Sequence, residues 1–161
     1  MQLTWKILYI CKMNSEKKTF DFENSIGPWM GKTIKILDYF LQESFKENKL
    51  DLSKEQMIVL KKLHDQDGLN QNELAFLTLR NKSSLTRLLS KMENKKYITR
   101  KRSTDDMRIN RVYITKLGRE VFSKTRPVIG NLIKKMEKDI SKEEKEQMIA
   151  ILKKIQHNFN T

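Results

Sequence analysis

The chain has 161 residues, room for one ordinary domain and an appended interaction element. Charged residues make up 33%, and 33 Lys and Arg against 20 Asp and Glu leave a net charge of +13, a field that attracts polyanions such as nucleic acid or an anionic membrane surface. The apolar runs are too short to span a bilayer, the single Cys11 excludes an internal disulfide and suits a reducing cytoplasm, and His64 and His157 lack partners at ligand spacing, so neither metal nor cofactor is expected.

Residues 1–13 are apolar but interrupted by lysines, with no basic leader and no small-residue cleavage site, which argues against a secretory signal. Two readings stay open for the arm formed by residues 1–23: a segment that docks on the body, or a true start at Met13, the preferred one. Gly27-Pro28 opens a first long helix within residues 24–48, since proline suits the first helical turn. Its apolar residues, among them Trp29, Ile34, Ile36, Tyr39, Phe40, Leu41 and Phe45, cover more than the one stripe a surface helix needs, so one face should meet the core and another a second chain.

Ser53-Lys54-Glu55-Gln56 reads as a capping box that launches a helix with Met57, Ile58, Leu60 and Leu63 inward, ending near Asp67-Gly68. Asn70-Gln71-Asn72-Glu73 is a second such start, for a short helix burying Leu74, Ala75 and Leu77. Leu79-Arg80 makes a tight turn, and Asn81 caps a third helix whose Leu85, Leu88, Leu89 and Met92 recur at i, i+3, i+4 and i+7. Two β-prone stretches, 97–102 and 111–115, flank a polar loop, with Val112 and Ile114 alternating as in a half-buried hairpin strand. Thr115 then caps a long helix bent by Pro127, and Ser141-Lys142-Glu143-Glu144 starts a last helix with Met148, Ile151, Leu152, Ile155 and Phe159 on one side. The fold class is therefore mainly α with a small β-hairpin wing: a winged helix-turn-helix over residues 53–115, flanked by dimerisation helices at 24–48 and 116–159.

In that order of elements the third helix lies in the major groove of DNA with its N-terminal residues against base edges. Its polar side carries Lys82, Ser83, Ser84, Thr86, Arg87, Ser90 and Lys91. Short hydroxyls reach phosphates and base edges, and Arg87 can make a two-pronged bond to guanine. Within residues 81–111 ten Lys and Arg stand against three acids, a local charge of +7 that includes the wing cations Arg100, Lys101, Arg102, Arg108 and Arg111. Gln71 and Asn72, at the start of the short helix, are placed for phosphate contact. A membrane surface would account for the charge but not for the hydroxyl-rich helix face.

Residues 72–118 resemble the MarR (multiple antibiotic resistance regulator) family. The resemblance is carried by Asn72-Glu73-Leu74-Ala75, by the run from Lys82-Ser83-Ser84-Leu85-Thr86-Arg87 to Lys91-Met92-Glu93, by Tyr97-Ile98-Thr99-Arg100, by Asp106-Met107-Arg108, and by Val112-Tyr113-Ile114-Thr115-Lys116-Leu117-Gly118. With the flanking helices it covers roughly residues 24–159. It implies a sequence-specific regulator of transcription, more often a repressor, acting as a homodimer on an imperfect palindrome of double-stranded DNA. It gives Arg108 a place in the minor groove, held there by Asp106. It also implies release by a small aromatic or phenolic effector bound between the dimer helices and the DNA-binding lobe, where Trp29, Tyr39 and Phe40 could line a pocket. Two departures concern turn geometry: Lys96-Tyr97 stands where the family often has Gly, and Lys116-Leu117 where it often has Pro. The alternative is a winged-helix protein-interaction module that never touches DNA, which would need an apolar or acidic recognition face. An enzyme is not expected, because the chain shows no Gly-rich phosphate loop, no Ser/His/Asp set and no metal spacing.

Overall fold

The computed structural model describes residues 21–103, 107 and 109–159. Cys11, Met13 and the rest of 1–20 lie outside the described residues, as do Asp106 and Arg108. Described residues up to 37 belong to one compact unit and those from 38 onward to a second. The first unit contains a turn and the opening of helix α1 (Ile26–Glu47). Asn24 donates to the Asp21 carboxylate from its backbone (3.1 Å) and its side chain (2.6 Å), and the Trp29 indole N–H donates to the Glu23 carbonyl (2.8 Å). The chain thus enters α1 through a fixed turn, with Pro28 in the first helical turn where its missing N–H is not needed.

The second unit continues with α2 (Lys54–Asp65), β1 (Leu69–Asn70), α3 (Gln71–Leu77), α4 (Lys82–Asn94), β2 (Ile98–Arg102), β3 (Asn110–Ile114), α5 (Lys116–Met136) and α6 (Lys142–His157). The local signals act as expected: Ser53, Asn70 and Ser141 close reciprocal capping boxes, and Asn81 and Thr115 accept from the amides of Ser84 and Gly118. Each satisfies a donor that the helix leaves free, which stabilises by about 1 kcal/mol.

Burial selects one stripe from each of helices α1 to α5. Phe45 of α1, Val59, Leu60 and Leu63 of α2, Leu74 of α3, and Leu85, Leu89 and Met92 of α4 meet Ile98 of β2 and Val112 of β3 in a single core. Leu77 departs from expectation: α3 is only seven residues long, and its last residue lies beside exposed Phe76 rather than in the core. Leu117 is likewise exposed, because Gly118, Phe122, Thr125 and Val128 form the inward side of α5. That helix continues through Pro127 as one element. In α1 only Leu41 and Phe45 are buried, and α6 buries none of its 16 residues.

The sheet has order β1-β3-β2, antiparallel throughout, with Leu69 opposite Val112 and Ile98 opposite Ile114. The third strand, β1, adds to the hairpin expected from the sequence. Asp67 ties this sheet to the helices: one carboxylate oxygen accepts from the amides of Gly68 (3.1 Å) and Ile114 (2.9 Å), the other from the Arg119 guanidinium (2.5 Å). At Gly118 a Cβ atom would stand 2.1 Å from the Tyr97 carbonyl oxygen, so only glycine lets the first turn of α5 approach the sheet this closely. Lys96, between α4 and β2, has φ 58°, the left-handed conformation that glycine adopts most easily.

Candidate nucleic-acid interface

The stripe Leu85/Leu89/Met92 fixes the rotation of α4, and the opposite side faces outward. Lys82, Ser83, Thr86, Arg87 and Lys91 are exposed on that side, with Ser84 and Ser90 half-buried along its margins. All seven recognition-helix residues singled out from the sequence therefore share one surface. Asn81 occupies the Ser84 amide (2.8 Å), leaving the amides of Lys82 and Ser83 at the positive end of the helix dipole. At α3 the arrangement differs. The Asn70 side chain takes the amides of both Asn72 and Glu73 (2.9 Å each), so Asn72 offers an anion its side chain, not its backbone.

Three hydroxyls of α4 are already engaged. The Arg80 guanidinium donates to Ser84 Oγ (2.9 Å), Arg100 donates to Ser90 Oγ (3.4 Å), and Thr86 donates its own hydrogen to the Lys82 carbonyl (2.8 Å).

The wing cations fall into two groups. Lys101 and Arg102 are exposed at the end of β2, with the Lys101 ammonium 5.8 Å from the centre of the Tyr113 ring. Arg100 and Arg111 are spent on the protein. Arg100 grips Glu93 through its Nε (3.0 Å), Nη2 (2.5 Å) and backbone N–H (3.1 Å), while Arg111 donates to the Gly68 carbonyl (3.2 Å) and Ser103 Oγ (3.5 Å). The hydrogen bond from Arg100 holds the Glu93 carboxyl below the usual glutamate range, against the opposing effect of burial. Sequence reading places all four on the wing but cannot show that two of them brace it. The Asp106–Arg108 pair lies outside the described residues.

Beside α4 runs a groove of about 1410 Å³, walled by the end of α1, the connector to α2, the start of α2 and the recognition helix itself. Lys46, Lys49, Arg80, Arg87, Lys91 and Lys95 line it against Asp51 and Glu55. Lys95 is anchored to the Asp51 carboxylate (2.7 Å) and carbonyl (3.0 Å). Sequence reading missed Lys46, Lys49 and Arg80, whose positions outside the helix-and-wing pattern give no local signal. A second cavity of about 240 Å³ is lined by Phe40, Pro127, Val128, Leu132 and Lys135, with the Lys135 ammonium 4.6 Å from the Phe40 ring centre. Trp29 and Tyr39, expected to share a pocket with Phe40, line neither cavity; both are exposed, and Tyr39 meets Phe40 only edge-on at 5.5 Å.

Among the described residues there is no cluster of His, Cys, Asp and Glu able to hold a metal ion, and no helix is long and apolar enough to cross a membrane.

Comparison with known proteins agrees with this geometry. Residues 52–109, the helix-turn-helix and most of the wing, match the model of the MarR family. The chain is 28% identical over 109 residues to the HTH-type transcriptional regulator YdgJ of Bacillus subtilis, a match covering 68% of this chain and 66% of that protein's length. The repressor CouR, solved on a 23-mer DNA duplex, has the same fold, with a TM-score of 0.78 and 18% identity over 88% of this chain and 99% of that one. So does BpsR of Bordetella bronchiseptica, whose DNA binding is regulated by 6-hydroxynicotinic acid, with a TM-score of 0.78 and 16% identity over 85% of this chain and 96% of that one. The matched family is one of transcriptional regulators rather than enzymes.

Proposed function

From its MarR-family lobe, we propose that this chain is a cytoplasmic transcriptional repressor that binds an imperfect palindrome of double-stranded DNA as a homodimer. One observation carries the reading. The outward side of α4 brings Lys82, Ser83, Thr86, Arg87 and Lys91 together, with Lys101 and Arg102 at the adjoining hairpin. A helix of that composition enters the major groove, where Arg87 reads guanine and the lysines, together with Gln71 and Asn72, contact phosphates. The family resemblance also assigns Arg108 a minor-groove contact supported by Asp106, both outside the described residues.

The dimer is supported by the apolar surface that the helices leave uncovered: Trp29, Ile34 and Ile36 on α1, and Met148, Ile149 and Ile151 on α6 are all more than 45% exposed. A monomer seldom leaves so many large apolar side chains in water along whole helices. Two-fold symmetry then sets the recognition helices about 34 Å apart, one turn of the duplex. A small aromatic effector that relieves binding has two candidate places, the cationic groove beside α4 and the smaller cavity under Phe40 and Lys135. The groove is favoured, because Arg87 and Lys91 belong both to its wall and to the DNA-facing side.

The test is footprinting on the DNA flanking the protein's own gene, with and without aromatic acids, followed by an anisotropy titration in salt. Affinity should fall steeply as salt rises, since several phosphates are neutralised per half-site. Arg108→Ala should weaken binding while leaving the dimer folded. Salt-independent affinity, or the absence of any protected site, would overturn the reading.

A further inference from the structure

Two side-chain relays that share a Glu-Arg-Ser order brace the recognition helix, one near each end of its outward side. In the first, Ser53 donates to Glu55 Oε2 (2.7 Å), Glu55 Oε1 lies 3.8 Å from Arg80 Nη2, and Arg80 Nη1 donates to Ser84 Oγ (2.9 Å). In the second, Glu93 holds Arg100 by two side-chain bonds, and Arg100 Nη2 lies 3.4 Å from Ser90 Oγ. Both arginines are largely covered, with side chains 29% and 24% exposed. They are poorly presented as free cations for a duplex.

A guanidinium can only donate. A serine oxygen that accepts from it keeps its own hydrogen for a further partner, which must be an acceptor. Thr86, between the two serines, has the opposite sense: its hydrogen goes to the Lys82 carbonyl, so its oxygen turns lone pairs outward. The order along this side is donor at 84, acceptor at 86, donor at 90. Phosphate oxygens, guanine O6 and N7, adenine N7 and thymine O4 accept hydrogen bonds; cytosine N4 and adenine N6 donate them.

We propose that Arg80 and Arg100 are positioning residues that fix the Ser84 and Ser90 hydroxyls as hydrogen-bond donors toward acceptor atoms of DNA, without touching the DNA themselves. Neither arginine adds to the charge that neutralises phosphate. Each acts through the serine it polarises, and its glutamate keeps it aimed. This inference rests on the DNA-binding reading above.

The experiment is a double-mutant cycle on the intact protein, with the duplex defined by footprinting. Ser84→Ala and Arg80→Met should each weaken binding about five- to tenfold, the range of one hydrogen bond. Together they should cost no more than about twofold beyond either alone, because both remove one interaction. The salt dependence should keep its wild-type slope in all three variants. Independent, multiplying losses would overturn the proposal, and so would a slope reduced by about one in Arg80→Met, the signature of a direct phosphate contact. Full affinity in a folded Arg80→Met variant would overturn it as well. Thermal unfolding reports whether each variant folds; if Arg80→Met does not, the cycle of Arg100→Met with Ser90→Ala is read by the same criteria. A wild-type protein that protects no DNA refutes the functional reading instead, which keeps the two failures apart.

Discussion

Adding one methyl group at Gly118 probes how the wing is seated on α5. In the present backbone the new Cβ would stand 2.1 Å from the Tyr97 carbonyl oxygen and 3.0 Å from both the Tyr97 carbonyl carbon and Ile114 Cγ1. Two of these three neighbours are backbone, so relief requires α5 and the start of the sheet to separate by about 1 Å. That movement strains a compact set of bonds: the Tyr97 carbonyl accepts from the Thr115 amide (3.0 Å) and hydroxyl (3.1 Å), and the Lys96 carbonyl lies 2.6 Å from the same hydroxyl. Overpacking of this kind costs about 1–3 kcal/mol, and loss of one or two hydrogen bonds adds about 1 kcal/mol each. Alanine returns about 1 kcal/mol through helix propensity. Gly118→Ala should therefore destabilise by about 1–4 kcal/mol. Urea unfolding followed by circular dichroism at fixed protein concentration measures it, because the stability of the proposed dimer would depend on concentration. Gly130→Ala is the control: the same helix, with nothing within 4 Å of the added atom, so it should stabilise by about 0.5–1 kcal/mol. A neutral Gly118→Ala, or a Gly130→Ala that costs as much, would refute the steric reasoning.

Three other outcomes are expected. Lys96→Gly should raise stability by about 1 kcal/mol, since φ 58° costs a lysine what glycine does not feel; an unchanged urea midpoint would mean that lysine is not strained there. For Glu93 the folded carboxyl is more acidic than the unfolded one, so its contribution is present above the ordinary glutamate pKa and disappears as pH falls through the lower folded value. Glu93→Gln should remove that part of the acid-side loss of stability, at most about 1 kcal/mol for a partly exposed pair, as read from urea midpoints between pH 3 and 6. Arg87→Ala should lower affinity by about 1–3 kcal/mol and relax base preference at one position of each half-site, as checked by binding to a set of single-substitution duplexes; a uniform loss across sequences would make Arg87 a phosphate contact.

What the sequence made legible is what depends on neighbours along the chain. The caps at Ser53, Asn70, Asn81, Thr115 and Ser141 follow from residues three apart, and the rotation of α4 follows from Leu85, Leu89 and Met92. What escaped depends on contacts across the fold. Strand β1 is two residues long and exists only because Leu69 and Asn70 meet Val112 and Arg111, more than 40 positions away. Arg100 reads as a wing cation until Glu93, seven residues earlier, is seen to hold it. Neighbours on one helix need not turn toward one cavity: Phe40 lines the smaller one, while Tyr39 stands exposed, a difference that adjacency in sequence does not reveal. Leu77 is apolar three residues after Leu74, yet as the last residue of α3 it lies outside the core, a distinction that periodicity alone does not make.

Asp67 has a mechanical consequence. Its two oxygens pull in different directions, one on the Ile114 amide of the sheet and one on Arg119 of α5. Together with the close seat at Gly118, this removes the slack a hinge would need where the wing joins the long helix. The base of the hairpin and the opening turns of α5 must then tilt as one lever, and in the proposed dimer any change in the spread of two wings has to begin farther along that helix.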